Sequence, residues 1–361
     1  MNLDKKIDRP LPRDLVANMS QYSPLLDEAT CILDANESPF ELTSQFKKKL
    51  IALFDGLPLH RYPDHTCSAL KDSAAKIENV EPSNIVFGNG SDELINIIIS
   101  TYADPNDSLL IFNPTFSMYE TVATILSLDV IKSDLTENFQ YNIDEAIKLA
   151  QNCNVKIIFV ARPNNPDGSM LPKEDLIKLA ESVKSLIVVD EAYIDYATEE
   201  SVGTIFKKYP NIIVIKTLSK IGFAALRLGY LLADKNLTKQ LDKVRMPFNI
   251  NMVSQIFGSF IFDHKKDINH LLQSTINERE QLYTALNEID GAIAYRSAAN
   301  FILIKVVSDP ETIFKKLLEE KIRVRWFSES KKLRNYFRIT IGLPSENKIF
   351  LHAFQTIMSS R

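Results

Sequence analysis

Three cysteines in 361 residues, far apart at Cys31, Cys67 and Cys153, supply neither a disulfide framework nor the ligand spacing of a zinc site. They read as buried or idle thiols, and no metal is expected. No apolar run approaches the length needed to cross a bilayer, and the opening Met1-Asn2-Leu3-Asp4-Lys5-Lys6 is too polar for a secretory signal. A cytoplasmic protein is expected. The formal charge of −4 provides no basic surface for nucleic acid or for an anionic membrane. Repeats and low-complexity tracts are lacking too. What remains is a chain of ordinary globular composition, long enough for two core-bearing lobes.

Between about Ser68 and Leu232, short apolar strands alternate with helical stretches. Strands are expected at 85–87, 108–112, 155–160 and 186–189, with helices at 143–149 and 173–183. That alternation implies βαβ units, hence an α/β fold whose mainly parallel sheet lies between helices. After Pro247 the pattern changes to a long helical tract around 253–289, strands near 301–306 and 336–341, and a helix between them at 312–320. A smaller α+β lobe suits this change.

Chemistry concentrates at the strand ends. The stretch Lys216-Thr217-Leu218-Ser219-Lys220, followed by Arg227, places one amine beside two hydroxyls and a guanidinium. An amine condenses with an aldehyde, hydroxyls donate to phosphate oxygens, and a guanidinium offers phosphate a planar fork. The cluster therefore suits a phosphorylated aldehyde held as an imine. Upstream, the run Leu186-Ile187-Val188-Val189 ends in Asp190-Glu191-Ala192-Tyr193, and open α/β sheets bind ligands at the carboxyl ends of such strands. The run ending at Val160 leads into Arg162-Pro163-Asn164-Asn165-Pro166-Asp167-Gly168, which fixes an amide on a tight turn. Ile85-Val86-Phe87 leads into Gly88-Asn89-Gly90-Ser91-Asp92 and an apolar helix from Leu94, where backbone N–H groups approach an anion. As a dinucleotide loop this segment lacks the third glycine, and a nicotinamide oxidoreductase has no use for Lys220.

Phosphate cradle, amide, carboxylate and lysine, in that order, resemble the fold type I pyridoxal-phosphate enzymes, and specifically the class II histidinol-phosphate aminotransferase family. The likeness runs on through Leu33-Asp34-Ala35-Asn36-Glu37-Ser38-Pro39-Phe40, Arg61-Tyr62-Pro63-Asp64 and Asn113-Pro114-Thr115-Phe116-Ser117-Met118-Tyr119. It continues at Pro247-Phe248-Asn249-Ile250-Asn251, Ala299-Asn300-Phe301 and Phe337-Arg338-Ile339-Thr340-Ile341-Gly342, and so covers nearly the whole chain. The resemblance implies an N-terminal arm at 1–43 packing with the small domain, a large cofactor-binding domain at 44–245 and a small C-terminal domain at 246–361. It implies pyridoxal 5'-phosphate, with Lys220 as Schiff-base lysine and proton shuttle, Asp190 on the ring nitrogen, and Tyr193 and Asn165 on the phenolic oxygen. Phe116 would stack on the ring where the family usually has tyrosine. Ser91, Asp92, Thr217, Ser219 and Arg227 would hold the phosphate, with Tyr62 reaching it from the other subunit of a homodimer. Two departures stand out: Asn165-Pro166-Asp167-Gly168 replaces the commoner Asn-Pro-Thr-Gly, and the interval from Lys220 to Arg227 is one residue short.

At the substrate end, the resemblance assigns Arg338 to the carboxylate, Arg325 to a substrate phosphate, and Tyr22 and Asn36 to the same region. Two guanidiniums suit a site that takes glutamate in one half-reaction and a phosphate ester in the other. The expected reaction moves an amino group from glutamate to imidazole-acetol phosphate, giving histidinol phosphate and 2-oxoglutarate. An aromatic-amino-acid aminotransferase and a threonine-phosphate decarboxylase are alternatives with the same cofactor machinery. A sensor domain fused to a DNA-binding region is disfavoured, because no basic helix-turn-helix precedes the domain.

Overall fold

The computed structural model describes residues 11–17, 19 and 28–360. In chain order the first elements are α1 (Asp14–Ala17), β1 (Cys31–Leu33), α2 (Ser44–Phe54) and α3 (Ser68–Glu78). An alternating series follows: β2 (Ile85–Asn89), α4 (Gly90–Tyr102), β3 (Ser108–Asn113), α5 (Met118–Ile125), β4 (Asp129–Asp134), α6 (Ile143–Asn152), β5 (Ile157–Ala161), α7 (Lys173–Ser182) and β6 (Leu186–Asp190). β7 (Ile212–Thr217) and β8 (Leu228–Leu232) complete the strands of the large lobe, and α8 (Lys235–Val244) follows. The remainder is α9 (Met252–Asp263), α10 (Asn269–Leu286), β9 (Ala292–Ala294), β10 (Phe301–Val306), α11 (Pro310–Glu319), β11 (Ile322–Trp326), β12 (Tyr336–Thr340) and α12 (Pro344–Ser359).

Strands β2 to β8 form one seven-stranded sheet in the order β2-β8-β7-β6-β5-β3-β4. β4, β3, β5, β6 and β7 run parallel, and β8 runs antiparallel to both β7 and β2. Every residue of β5, β6, β7 and β8 is buried, which is why the segments of β5 and β6 read as apolar runs without alternation. Alternate side chains feed different cores: Ile187 and Val189 join one apolar cluster, and Leu186 and Val188 join the other. Helices cover both faces as a parallel sheet requires. The carboxyl ends of β2, β5, β6 and β7 meet at one edge of the sheet, and the reversed β8 brings its first residue to that same edge.

The second sheet has the order β1-β11-β12-β10-β9, with β1 parallel to β11 and its other pairs antiparallel. A short segment near the amino terminus is thus one of its edge strands. Its core joins Leu33, Ile302, Ile304, Phe337 and Ile339 to Leu286 of α10 and to Phe350 and Phe354 of α12. The helical tract expected at 253–289 is two helices: α9 ends at Asp263, a 3-10 turn spans Lys265–Ile268, and α10 begins at Asn269. The polar run Asp263-His264-Lys265-Lys266-Asp267 has no apolar face to continue a helix, and Lys265 pairs instead with Asp195 at 2.7 Å. α9 packs on α3 so closely that a Cβ on Gly258 would lie 2.8 Å from Leu70 Cδ1 and 2.5 Å from Leu228 Cδ2. Its Ile261 and Phe262 belong to the core of the large lobe. Helix α11 starts earlier than expected because Asp309 caps it, accepting from Thr312 N–H at 3.0 Å, and Pro310 stands at its first position.

Candidate active site

Ten of the expected residues line one cleft at the shared edge of the large sheet: Ser91, Asp92, Phe116, Asn165, Asp190, Tyr193, Thr217, Ser219, Lys220 and Arg227. They come from six strand ends, those of β2, β3, β5, β6 and β7 and the start of β8, and the topology explains why residues so distant in sequence converge.

One end of the cleft gathers hydrogen-bond donors and a guanidinium. Helix α4 opens at Gly90 with no side-chain cap from Asn89, which leaves its first-turn N–H groups facing the cleft. Gly90 has φ +76°, and a Cβ there would lie 2.6 Å from Arg227 Nη2. A Cβ on Gly229 would meet Gly90 C at 2.5 Å and Ser91 N at 2.8 Å. Only glycines allow the helix start, β8 and the guanidinium to come this close. Thr217 Oγ1 donates to Ser219 Oγ at 3.0 Å, and Arg227 Nη1 donates to Ser219 Oγ at 3.3 Å. Asp92 Oδ2 lies 3.3 Å from Arg227 Nη2 and orients the guanidinium from outside. Arg227 itself takes a left-handed backbone conformation, φ 48°.

At the other end, Asp190 closes β6 and is buried. Its Oδ1 accepts from Ala192 N–H at 3.0 Å and its Oδ2 from the Tyr119 hydroxyl at 2.7 Å. Burial pushes its carboxyl up to about 6, with the bonds from Tyr119 and Ala192 pulling the other way. Tyr119 is fully buried, stacked on Phe159 with ring centroids 4.6 Å apart and edge-on to Phe116 at 5.6 Å. Burial, and then the charge of Asp190, hold its hydroxyl well above the usual tyrosine range, so it stays a donor. Lys220 Nζ donates to Ala35 O at 3.4 Å and sits 5.7 Å from the centroid of the Tyr193 ring. Tyr196 fixes the lysine's backbone by donating from its hydroxyl to Lys220 O at 2.6 Å.

The turn after β5 carries Asn165. Asp167 accepts from Asn164 Nδ2 at 2.5 Å and from Ser169 N–H at 2.9 Å, taking up the turn-stabilising work at its position. Burial pushes its carboxyl up to about 6. A Cβ on Gly168, at φ +76°, would lie 2.0 Å from Ser297 Oγ, so the turn is pressed against the second lobe. Across that contact Arg338 Nη1 donates to Asn165 Oδ1 at 2.6 Å, and Nη2 donates to Asp34 O at 2.6 Å.

The remaining expected residues lie elsewhere. Arg325 is exposed on β11. Tyr62 is 80% exposed and stacks on Phe248, centroids 4.7 Å apart, away from the cleft of its own chain. Asn36, placed by resemblance at the substrate end, is buried beneath Tyr193 with both side-chain polar atoms engaged within the protein. Tyr22 lies outside the described residues. Sequence reasoning assigned no role to Tyr119 or Tyr196. Tyr119 stood in the quoted Asn113-to-Tyr119 segment, but nothing in its spacing points at Asp190.

The chain matches the family model of aminotransferase class I and II over residues 30–354. It is 38% identical over 331 residues to a histidinol-phosphate aminotransferase of Ruminiclostridium cellulolyticum, covering 90% of this chain and 92% of that one. A histidinol-phosphate aminotransferase from Sinorhizobium meliloti, solved in complex with pyridoxal-5'-phosphate, has the same fold, with a TM-score of 0.88, 20% identity and coverage of 96% and 97%. So does an L-threonine-O-3-phosphate decarboxylase from Porphyromonas gingivalis, with a TM-score of 0.80, 23% identity and coverage of 91% and 99%. The fold alone therefore does not choose the reaction. Fold and site define a pyridoxal-phosphate-dependent aminotransferase of class I and II. Within that class, the chain belongs to the histidinol-phosphate aminotransferase family.

The donor set fits that cofactor. The glycine-lined cradle at α4, with Ser219, Thr217 and Arg227, suits a phosphate dianion. A buried carboxylate at Asp190 suits a cationic ring nitrogen, and Phe116 offers an aromatic face between these two ends.

Proposed function

We propose that this enzyme transfers the amino group of L-glutamate to imidazole-acetol phosphate, giving L-histidinol phosphate and 2-oxoglutarate in histidine biosynthesis. One observation carries the choice of substrate. Arg325 stands directly opposite Arg338 in the β11–β12 register, so both side chains leave the same face of the small sheet, their Cβ atoms roughly 5 Å apart. Arg338 already reaches the cleft through Asn165. Two adjacent guanidiniums suit a doubly charged phosphate, and in the other half-reaction they give each carboxylate of glutamate a partner.

In this reading Lys220 would be the residue that holds the cofactor's aldehyde, and its Nζ would move the proton at the substrate α-carbon. When bound, pyridoxal phosphate supplies an electron sink for the carbon that loses that proton. Asp190 would pair with the ring nitrogen and keep it cationic, Tyr193 and Asn165 would hold the phenolic oxygen, and Phe116 would cover the ring. Both half-reactions use this one cleft, so ping-pong kinetics are expected. The working unit is a cytosolic homodimer in which Tyr62 serves the phosphate cradle of the partner. Its exposure beside exposed Leu59 and Phe248 supports that arrangement.

The test is Arg325→Ala. It should lower kcat/KM for histidinol phosphate by about 1.5–3 kcal/mol, the contribution of a hydrogen bond to a charged group, and lower that for phenylalanine much less. Arg338→Ala should damage every substrate. An equal loss for both substrates in Arg325→Ala would show that Arg325 does not read phosphate and would favour an aromatic aminotransferase.

A further inference from the structure

Asn36 is among the most constrained residues near the cleft. It is 1% exposed, its backbone is left-handed at φ 54°, and its carbonyl accepts from Asn300 Nδ2 at 3.1 Å. The side-chain amide is held at both of its ends. Asn36 N–H donates to Thr340 Oγ1 at 2.9 Å, and the Thr340 hydroxyl donates to Asn36 Oδ1 at 3.0 Å. With Oδ1 committed as the acceptor, Nδ2 faces Tyr193 Oη at 3.0 Å. An amide nitrogen only donates. Tyr193 Oη therefore accepts from Asn36, and its own hydrogen must leave in another direction. Tyr193 is wedged edge-on against Phe301, centroids 5.1 Å apart, and lines the cleft beside Lys220.

We infer that Asn36 is a positioning residue: its amide, oriented by Thr340, turns the Tyr193 proton into the cleft and makes Tyr193 a donor to the phenolic oxygen of the bound cofactor. This rests on the reading of the site given above. Asn36 does not touch substrate in this account. It carries information from the second lobe, where Thr340 and Asn300 sit, to a tyrosine of the first. A donor to the phenolic oxygen stabilises its anionic form, so losing that donor raises the pH at which the bound cofactor gives up its proton.

The experiment is a pH titration of the cofactor's visible absorbance in holoenzyme, for the unmodified protein, Asn36→Gly, Thr340→Val, Tyr193→Phe and the double variant Asn36→Gly/Tyr193→Phe. Glycine is chosen because position 36 has positive φ, where alanine would add strain. Thr340→Val keeps the Asn36 side chain and removes the hydroxyl that orients its amide, at the cost of the acceptor for Asn36 N–H, so it tests the same chain of contacts through a second, independent change. Tyr193→Phe should raise the midpoint by about 1 to 2 pH units, the equivalent of one hydrogen bond to a charged acceptor. Asn36→Gly should raise it in the same direction, Thr340→Val by less, and the double variant no further than Tyr193→Phe alone. An unmoved midpoint in Asn36→Gly or Thr340→Val, with a moved one in Tyr193→Phe, overturns the inference alone. Equal shifts from Asn36→Gly with and without the tyrosine hydroxyl overturn it too. An unmoved midpoint in Tyr193→Phe overturns both the inference and the placing of Tyr193 at the cofactor.

Discussion

Removing one hydroxyl, in Tyr119→Phe, tests whether Asp190 is tuned from behind. The ring should stay where it is, because its stacking on Phe159 and its edge contact with Phe116 do not involve the oxygen. What disappears is the 2.7 Å bond to Asp190 Oδ2. A hydrogen bond to a charged group contributes about 1.5–3 kcal/mol, and one pKa unit corresponds to about 1.4 kcal/mol. Asp190, which burial already holds at about 6, should therefore rise to about 7–8 in the cofactor-free protein. The sign follows from what the carboxylate does. Its attraction for a cationic ring nitrogen is present above its pKa and is lost as the pH falls through it. Cofactor affinity of the apoprotein, measured by titration across pH 5 to 9, should thus decline below about 6 in the unmodified protein and begin declining about 1–2 units higher in Tyr119→Phe. A folded variant whose acid limb coincides with that of the unmodified protein would refute this reasoning.

Two further outcomes follow from the same geometry. Lys220→Ala should keep the cofactor through the α4 cradle, Ser219 and Arg227 while turnover collapses, and borohydride on the unmodified holoenzyme should attach the cofactor to Lys220, which peptide mass spectrometry reads directly. Mixing inactive Tyr62→Ala and Lys220→Ala parents should restore activity if Tyr62 serves the partner's cleft, because a hybrid dimer then contains one intact site; mixtures as inactive as their parents would place Tyr62 elsewhere.

How much of this was legible in the chain depends on how far each contact reaches. Asp190 and Asn165 were found because the apolar runs of β5 and β6 switch abruptly to polar residues, and Lys220 because an amine, two hydroxyls and a guanidinium stand together in its own segment; the sheet gathers all three at one edge. The glycines at 90 and 229 allow a close approach that only the folded chain displays as distances. Tyr119 was missed as a partner of Asp190 because 71 residues separate them, and a tyrosine on an apolar helix face looks like ordinary core. Asn36 sits 304 residues from the threonine that orients it, in a backbone conformation no side-chain pattern signals. The break between α9 and α10 was hidden because the helical tract was judged by its ends, whereas the polar stretch near His264 decides it. Asp167 shows the opposite case. The departure from the usual threonine was visible, and the fold explains it: the carboxylate bonds Asn164 and Ser169 and keeps the turn that presents Asn165 to Arg338.

The central claim is that this cleft serves a phosphorylated imidazole substrate, and the most direct measurement compares kcat/KM for histidinol phosphate, phenylalanine and threonine phosphate with 2-oxoglutarate as acceptor. The paired arginines at 325 and 338 predict that histidinol phosphate is preferred over phenylalanine by a wide margin, and the proposed transamination predicts that threonine phosphate is not decarboxylated at a comparable rate. A strong preference for phenylalanine, or release of carbon dioxide from threonine phosphate, would contradict it.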